Sequence, residues 1–549
     1  MQITKPAYLK KRILLFVIPL YAVIVCIIFF NKFYPFYMSQ PDPCYIHLFN
    51  GMNLAGGHME IGNIDNPGIT IQCFAAIVIF IKHVFSSSHL PVYQDVILNP
   101  ESYLYVCSLL LITFLIAGNY WVGSYVFRHT GSPGTAMVFQ LVPLIHIGIV
   151  QRVVVLGPES FIITVSSFFM AYLYCKCLDN RTLKKKQITY RTVIVFAIFS
   201  GFLIATKYTC APVIILILFF LQNNRQRLLY VGMSVLSFLF FIIPALPKFQ
   251  NMYHWIWALF SHDGIYGAGE QRVVNPSLFL KNLKDIFLTD IIFTSMYAII
   301  FVAFIVALIN RKRTQAMPLL PLITGVWVSI TTLILAVAKH CDFHYLIFAE
   351  CCFPLGLVIA YKIFSGFLSP LIKSFEKYKQ KIAYSLFAAT CLFLVIEKIR
   401  YIPLHKYQPV GISNYVDKYK TVPLIICVNG IAACERKEAA LYLGYIYSGG
   451  LRSTYFSFLQ NIYPNTYLYS VDLQALIYWE QTIPLASLAE KNKKVLVYLK
   501  GYDEAKQQNL LHQFCANNRN FGTGQCSEQL IFKDVKTLQS IYMINNANE

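Results

Sequence analysis

Acidic side chains are scarce in this chain, 26 Asp and Glu against 46 Lys and Arg, so their positions carry weight. Asp42 stands in Asp42-Pro43-Cys44-Tyr45, and Asp65 in Ile64-Asp65-Asn66-Pro67-Gly68. Both flank apolar runs of membrane-spanning length. An ionisable group at a membrane boundary marks a functional site by default. Each also has a bland reading, because an aspartate near a proline starts turns. Glu159, in Gly157-Pro158-Glu159-Ser160, opens another apolar run, where the helix dipole alone favours a carboxylate. The cations of interest are Lys207, His340, His344, Arg152 and Arg272. A lysine at a helix tip can simply snorkel to the interface. His340 and His344, four apart with Asp342 and Glu350 nearby, suit either a metal or plain packing. His58 and Glu60 read as residues of a wet loop.

The elements that must position these residues are membrane helices. The chain is 57% apolar and 13% charged, against about 25% charged in soluble proteins. Runs such as Ile13–Phe30, Ile291–Ile309 and Tyr384–Ile396 recur along the first 400 residues. The first run reads as an uncleaved helix rather than a signal peptide. The net charge of +20 is explained by basic cytoplasmic loops, not by nucleic acid. Lys176–Arg191 holds six Lys and Arg, Asn223–Arg227 two, Asn310–Thr314 three and Tyr361–Lys381 five. All fall on one side with the N-terminus only if Gly68–Phe85 does not cross, so that run is expected to be juxtamembrane or re-entrant.

Eleven crossings follow, at 13–31, 103–127, 134–150, 160–176, 192–206, 209–222, 228–246, 289–309, 317–338, 345–364 and 383–397. The expected fold is an all-α polytopic membrane bundle over 1–397, with a first outer loop 32–102 and an outer loop 247–288. The pair 192–206 and 209–222 forms a short hairpin with Lys207 at its tip. The loop 247–288, with "SHDGIYGAGEQRVVNPS", looks like a mobile cover. The tail 398–549 has strand-like "VPLIICV" and "KKVLVYL", each followed by a helical pattern, and reads as an extracytoplasmic α/β domain. Most of the 15 cysteines sit in apolar helices as small hydrophobes, while Cys427/Cys434 and Cys515/Cys526 have spacings that permit pairing outside the cytoplasm.

The stretch "DPCYIHLFNGMNLAGGH…IDNPGITIQ" resembles the first outer loop of the GT-C superfamily of membrane glycosyltransferases. The likeness is to the protein O-mannosyltransferase and lipid A aminoarabinose transferase branch. The matching positions are Asp42, Tyr45, Leu54-Ala55-Gly56-Gly57 and Asp65-Asn66-Pro67-Gly68. "GPESF" places Glu159 in the second outer loop, "ATKY" places Lys207 at the family's short-helix hairpin, and "HYLIFAECCFPLGL" is similar to a late "RYLLP" segment. Two departures are visible. Pro43 stands where many relatives carry Glu, and His344 where Arg is commoner, which makes anion binding there dependent on pH.

The resemblance implies sugar transfer from a polyprenyl-phosphate donor to a hydroxyl of a glycan, lipid or protein. Such a reaction needs a base for the acceptor proton and cations for the leaving phosphate. Asp42 is the expected base. Tyr45, Asp65, Arg152, Glu159, Lys207, Arg272, His340 and His344 are expected around the substrate and its phosphate. A single displacement implies inversion. No cofactor is expected, and the residues do not indicate a divalent metal. The expected setting is the lipid bilayer of a cytoplasmic (inner) membrane, with the N-terminus inside and the tail outside. Two rivals remain open: a transporter, which would carry ionisable groups near the midplane, and a glycan polymerase or ligase using a lipid-diphosphate donor.

Overall fold

The structure is a computed structural model. It describes residues 12–65, 68–145, 151–177, 188–311, 318–340, 342–368, 415–416, 418–428, 436–470, 475–484, 488, 492, 494–500, 504–516, 527–534 and 539–545. Among these, six helices are long and apolar enough to cross a membrane: Leu14–Phe33, Pro100–Thr130, Pro158–Cys177, Ile291–Ile309, Leu320–Lys339 and Phe343–Phe367. A seventh span arises if Asn224–Phe241 and Ile243–Ser261, bent by 83°, count as one. The chain is thus a multi-pass helical membrane protein. Of the other expected crossings, 134–150, 192–206 and 209–222 correspond to the shorter helices Pro133–Leu144, Tyr190–Thr206 and Tyr208–Phe220. The expected crossing 383–397 lies outside the described residues. The run 68–85 forms the helix Ile69–Phe85, also short of a full span.

The chain divides into two units. The first comprises Met1–Phe30, Asn63–Phe74 and Val106–Leu404, and the second Asn31–Gly62, Ala75–Tyr105 and His405–Glu549. This division differs from a cut at 397, because most of the first outer loop belongs with the tail.

In the first unit, Ile347–Leu368 is the central helix. In the apolar stretch of the span Phe343–Phe367, 83% of the residues are buried, against 28% in that of Ile291–Ile309. Ile347–Leu368 packs on Pro158–Cys177, Ile291–Ile309 and Leu320–Lys339. Gly356 permits this approach, since a Cβ there would stand 2.4 Å from the Ile300 side chain. Tyr190–Thr206 lies along Asn224–Phe241, with Gly201 against the Phe238 backbone. The segment 247–288, expected as a mobile cover, carries regular structure. It is mostly helical, Phe249–Ser261 and Pro276–Thr289, joined by a compact loop.

The second unit contains a seven-stranded sheet: β1 (Leu424–Val428), β2 (Thr466–Ser470), β3 (Ala475–Tyr478), β4 (Gln481–Ile483), β5 (Lys494–Lys500), β6 (Ser527–Asp534) and β7 (Gln539–Asn545). Its order is β4-β3-β2-β1-β5-β7-β6. β2, β1 and β5 run parallel at the centre, and the outer pairs are antiparallel. β5 shows the pattern of a central strand, with Val495 to Leu499 all buried. The two strand-like runs read from the sequence are β1 and β5, and helices follow both. Cys434 and Cys526 lie outside the described residues.

The helix Pro41–Ala55 packs on Lys437–Ile446 of the tail. Gly444 makes the contact close, because a Cβ there would fall 2.4 Å from the Phe49 ring. Asn50 and Asn53, both fully buried, tie the segments together. Asn50 donates to Ile46 O (2.8 Å) and Tyr447 O (2.9 Å) and accepts from Gly62 N (2.6 Å). Asn53 donates to Glu60 O (2.7 Å) and Ser448 O, and accepts from the Tyr455 hydroxyl (2.5 Å). Buried amides satisfied this fully specify one arrangement.

Candidate functional site

Three helix ends of the first unit bring Glu159, Lys207 and His344 together. Glu159 lies in the first turn of Pro158–Cys177. Proline suits a first helical position, and the dipole favours the acid beside it. Lys207 is the break after Tyr190–Thr206, with extended backbone (φ −160°, ψ 131°). His344 is in the short turn Phe343–Leu346, where the Asp342 side chain caps its backbone N–H.

Lys207 Nζ donates to Glu159 Oε1 at 2.5 Å, and both residues are buried, at 1% and 4% exposure. The lysine does not snorkel. His344 is held between two carboxylates, with Nε2 4.0 Å from Glu159 Oε1 and Nδ1 2.6 Å from Asp342 Oδ1. The other side of Lys207 faces the Tyr345 ring at 4.6 Å. Asp342 is the exposed member, at 53% of its side chain. Burial pushes its carboxyl up, but the hydrogen bond and charge of His344, then the charge of Arg152, outweigh this and leave it lowered. Arg152 therefore borders the cluster through Asp342.

The Lys207 break is held from below. Gly68, in the left-handed region at φ 51°, donates its N–H to Thr206 O at 3.2 Å. Thr70 and Thr206 share a hydroxyl hydrogen bond of 2.7 Å. The segment opened by Asp65 thus abuts the residue before Lys207. Asp65 itself is exposed.

The remaining expected residues stand elsewhere. Arg272 pairs with Asp263 inside the 262–275 loop and lies 3.6 Å from Glu270. Asp263 also accepts from Glu270 N, and the Arg272 hydrogen bond, the largest influence, lowers its carboxyl. The loop reaches the cluster through Tyr266, which accepts from the Tyr345 hydroxyl at 3.3 Å. Tyr266 sits at φ 57°, a conformation that a non-glycine residue keeps only where its surroundings over-determine it. His340 is not seen against Glu159, Lys207 or His344. Its imidazole is lowered by burial first and by Lys339 second, with the Leu259 backbone opposing. Among the described residues no group of three His, Cys, Asp or Glu can hold a metal ion.

Asp42 and Tyr45 belong to the second unit. Asp42 is exposed at the start of Pro41–Ala55 and is the one residue of that helix with non-helical backbone (φ −98°, ψ 122°). Tyr45 is fully buried, and its hydroxyl donates to Glu101 Oε1 at 2.8 Å. Burial, then the Glu101 charge, raises that phenol well above its ordinary value. Tyr45 is therefore part of the packing of its own unit. Glu101 also accepts from Phe36 N (2.8 Å) and Tyr37 N (3.0 Å). Sequence reasoning missed Glu101, although Pro100-Glu101-Ser102 repeats the tripeptide Pro158-Glu159-Ser160 at another helix start. No family model, curated protein or solved structure matches the chain.

Proposed function

We propose that this protein is an integral membrane glycosyltransferase of the GT-C type. It moves a sugar from a polyprenyl-phosphate donor to a hydroxyl of a glycan, lipid or protein at the outer face of the cell membrane. The observation that carries this reading is the buried Glu159–Lys207–His344 cluster. Three residues from distant segments, each marked by the resemblance, meet at helix ends. A transporter reading has less to rest on, because these charges gather at helix ends rather than along the middle of spans.

In this reading a carboxylate base accepts the proton of the acceptor hydroxyl as its oxygen attacks the anomeric carbon, and it is the resemblance that assigns this role to Asp42. The bond from that carbon to the phosphate oxygen breaks, and the electron pair leaves with the phosphate. One displacement inverts the configuration. Lys207 and His344, with Arg152 behind Asp342, meet the charge that grows on the phosphate. Glu159 is a positioning residue: it holds the lysine in a buried place where an unpaired ammonium would be costly. The segments 32–102 and 247–288 and the tail lie on the outer side of the cell membrane, and the N-terminus lies on the inner side.

The test is transfer from a panel of radiolabelled polyprenyl-phosphate sugars to a membrane extract by purified protein, wild type beside Asp42→Asn. Wild type is expected to transfer and the variant to lose transfer while keeping its melting temperature, since Asp42 is exposed. Equal transfer by both would move the base to another carboxylate. No transfer by folded wild type from any donor would sink the reading.

A further inference from the structure

The helix Phe249–Ser261 has two apolar sides with different surroundings. Its inner side is occupied: Met252 is buried, the Trp255 ring stands 5.9 Å from that of Tyr208, and Lys339 donates to Leu259 O and Phe260 O. Its outer side carries Phe249, Tyr253, Trp257 and Phe260, exposed at 47%, 56%, 61% and 67%. At about 100° per residue these four fall within a stripe of roughly 80°. Gln250, Asn251 and His254 form an exposed polar sector beside it. Scattered exposed apolar residues are ordinary, but a continuous stripe marks an interaction surface.

The stripe continues an exposed apolar face. Along Asn224–Phe241 the exposed residues include Leu228, Val231, Val235, Leu236 and Phe240, and beyond the bend come Ile243 and Leu246. The bend is 83°. With Asn224–Phe241 taken as crossing the bilayer, a helix at nearly a right angle to it runs along the membrane plane. Tryptophan and tyrosine favour the headgroup level, where an apolar ring and a polar edge are both satisfied.

We propose that Phe249–Ser261 lies in the headgroup layer of the bilayer, with Phe249, Tyr253, Trp257 and Phe260 facing the acyl boundary. Its inner side touches Tyr208, the residue after Lys207, so this helix sets the buried Glu159–Lys207–His344 cluster at headgroup depth. The proposal does not depend on the reaction the cluster performs.

The full chain is reconstituted in phosphatidylcholine vesicles of three kinds: brominated near the headgroup, brominated near the chain ends, or unlabelled with acrylamide in the water. The chain has five tryptophans, so the Trp257 share of the emission is taken as wild type minus Trp257→Phe. The expected result is loss of that share to the shallow bromine, with less loss to the deep bromine and to acrylamide. Loss mainly to acrylamide, mainly to the deep bromine, or to none of the three would overturn the proposal. The last pattern would indicate a second copy or another protein on the stripe. Phe260→Trp supplies an independent reporter expected to follow the same pattern, which covers the case in which Trp257→Phe does not fold.

Discussion

Pro100-Glu101-Ser102 and Pro158-Glu159-Ser160 are the same tripeptide at the start of two long apolar helices, one glutamate in each unit. Both glutamates lie in the first turn, where the dipole favours them. Their partners differ. Glu101 accepts from two backbone N–H groups and a tyrosine hydroxyl, all uncharged. Glu159 accepts from a buried lysine and has a histidine at its edge. The first arrangement is saturated by the folding of its own unit. The second brings an ammonium group to a buried position and leaves it further N–H donors. A carboxylate in the same local frame is thus structural in one place and supports a charged site in the other.

The sharpest way to break this comparison is Lys207→Met. It leaves the Glu159 carboxylate buried without its cation, which costs about 3–5 kcal/mol. Thermal unfolding should show the loss, and transfer should vanish. The double variant Glu159→Leu/Lys207→Met should regain most of the stability but none of the transfer. Unchanged stability in the single variant would mean that the pair is not dry.

Glu101→Ala should have the next largest effect, about 3 kcal/mol, since two N–H donors and the buried Tyr45 hydroxyl lose their acceptor. This loss should respond only modestly to salt, because its hydrogen-bond donors are uncharged and Lys437 is a charged neighbour without a hydrogen bond to it among those described. A strongly salt-dependent loss would show that Glu101, like Glu159, works as a charge.

The smallest expected effect concerns Asp342. Its folded value lies below the ordinary 3.8, so it binds fewer protons in the folded state. Its stabilising contribution is complete above pH 3.8 and is lost as pH falls through the lowered value. Asp342→Asn should therefore lower the melting temperature near neutrality, where the contribution is complete, and flatten the acid limb, where wild type has already lost it. An unchanged acid limb would separate Asp342 from His344.

Much of the membrane architecture was legible because long apolar runs announce spans by length alone. The break at Lys207 was legible for a related reason, a polar residue interrupting an apolar run. β1 and β5 were visible as short, densely apolar runs. The helices within 247–288 were not legible because its central glycines drew attention from the amphipathic patterns on either side. That Tyr45 meets Glu101 and Arg272 meets Asp263 was not legible, because composition does not reveal partners. The grouping of 31–62 and 75–105 with the tail was invisible, since Asn50 and Asn53 find partners almost 400 residues away.

The sequence by itself determined where helices begin, how long the apolar runs are and that a glutamate opens two of them. These follow from backbone hydrogen bonding, the helix dipole and the cost of polar groups in hydrocarbon, all of which act within a few turns of chain. Only the tertiary structure decided that Glu101 meets Tyr45, 56 residues away, while Glu159 meets Lys207, 48 residues away. The partner of a buried charge is chosen by which helix ends pack together, and that choice is spread over the apolar contacts of the whole unit.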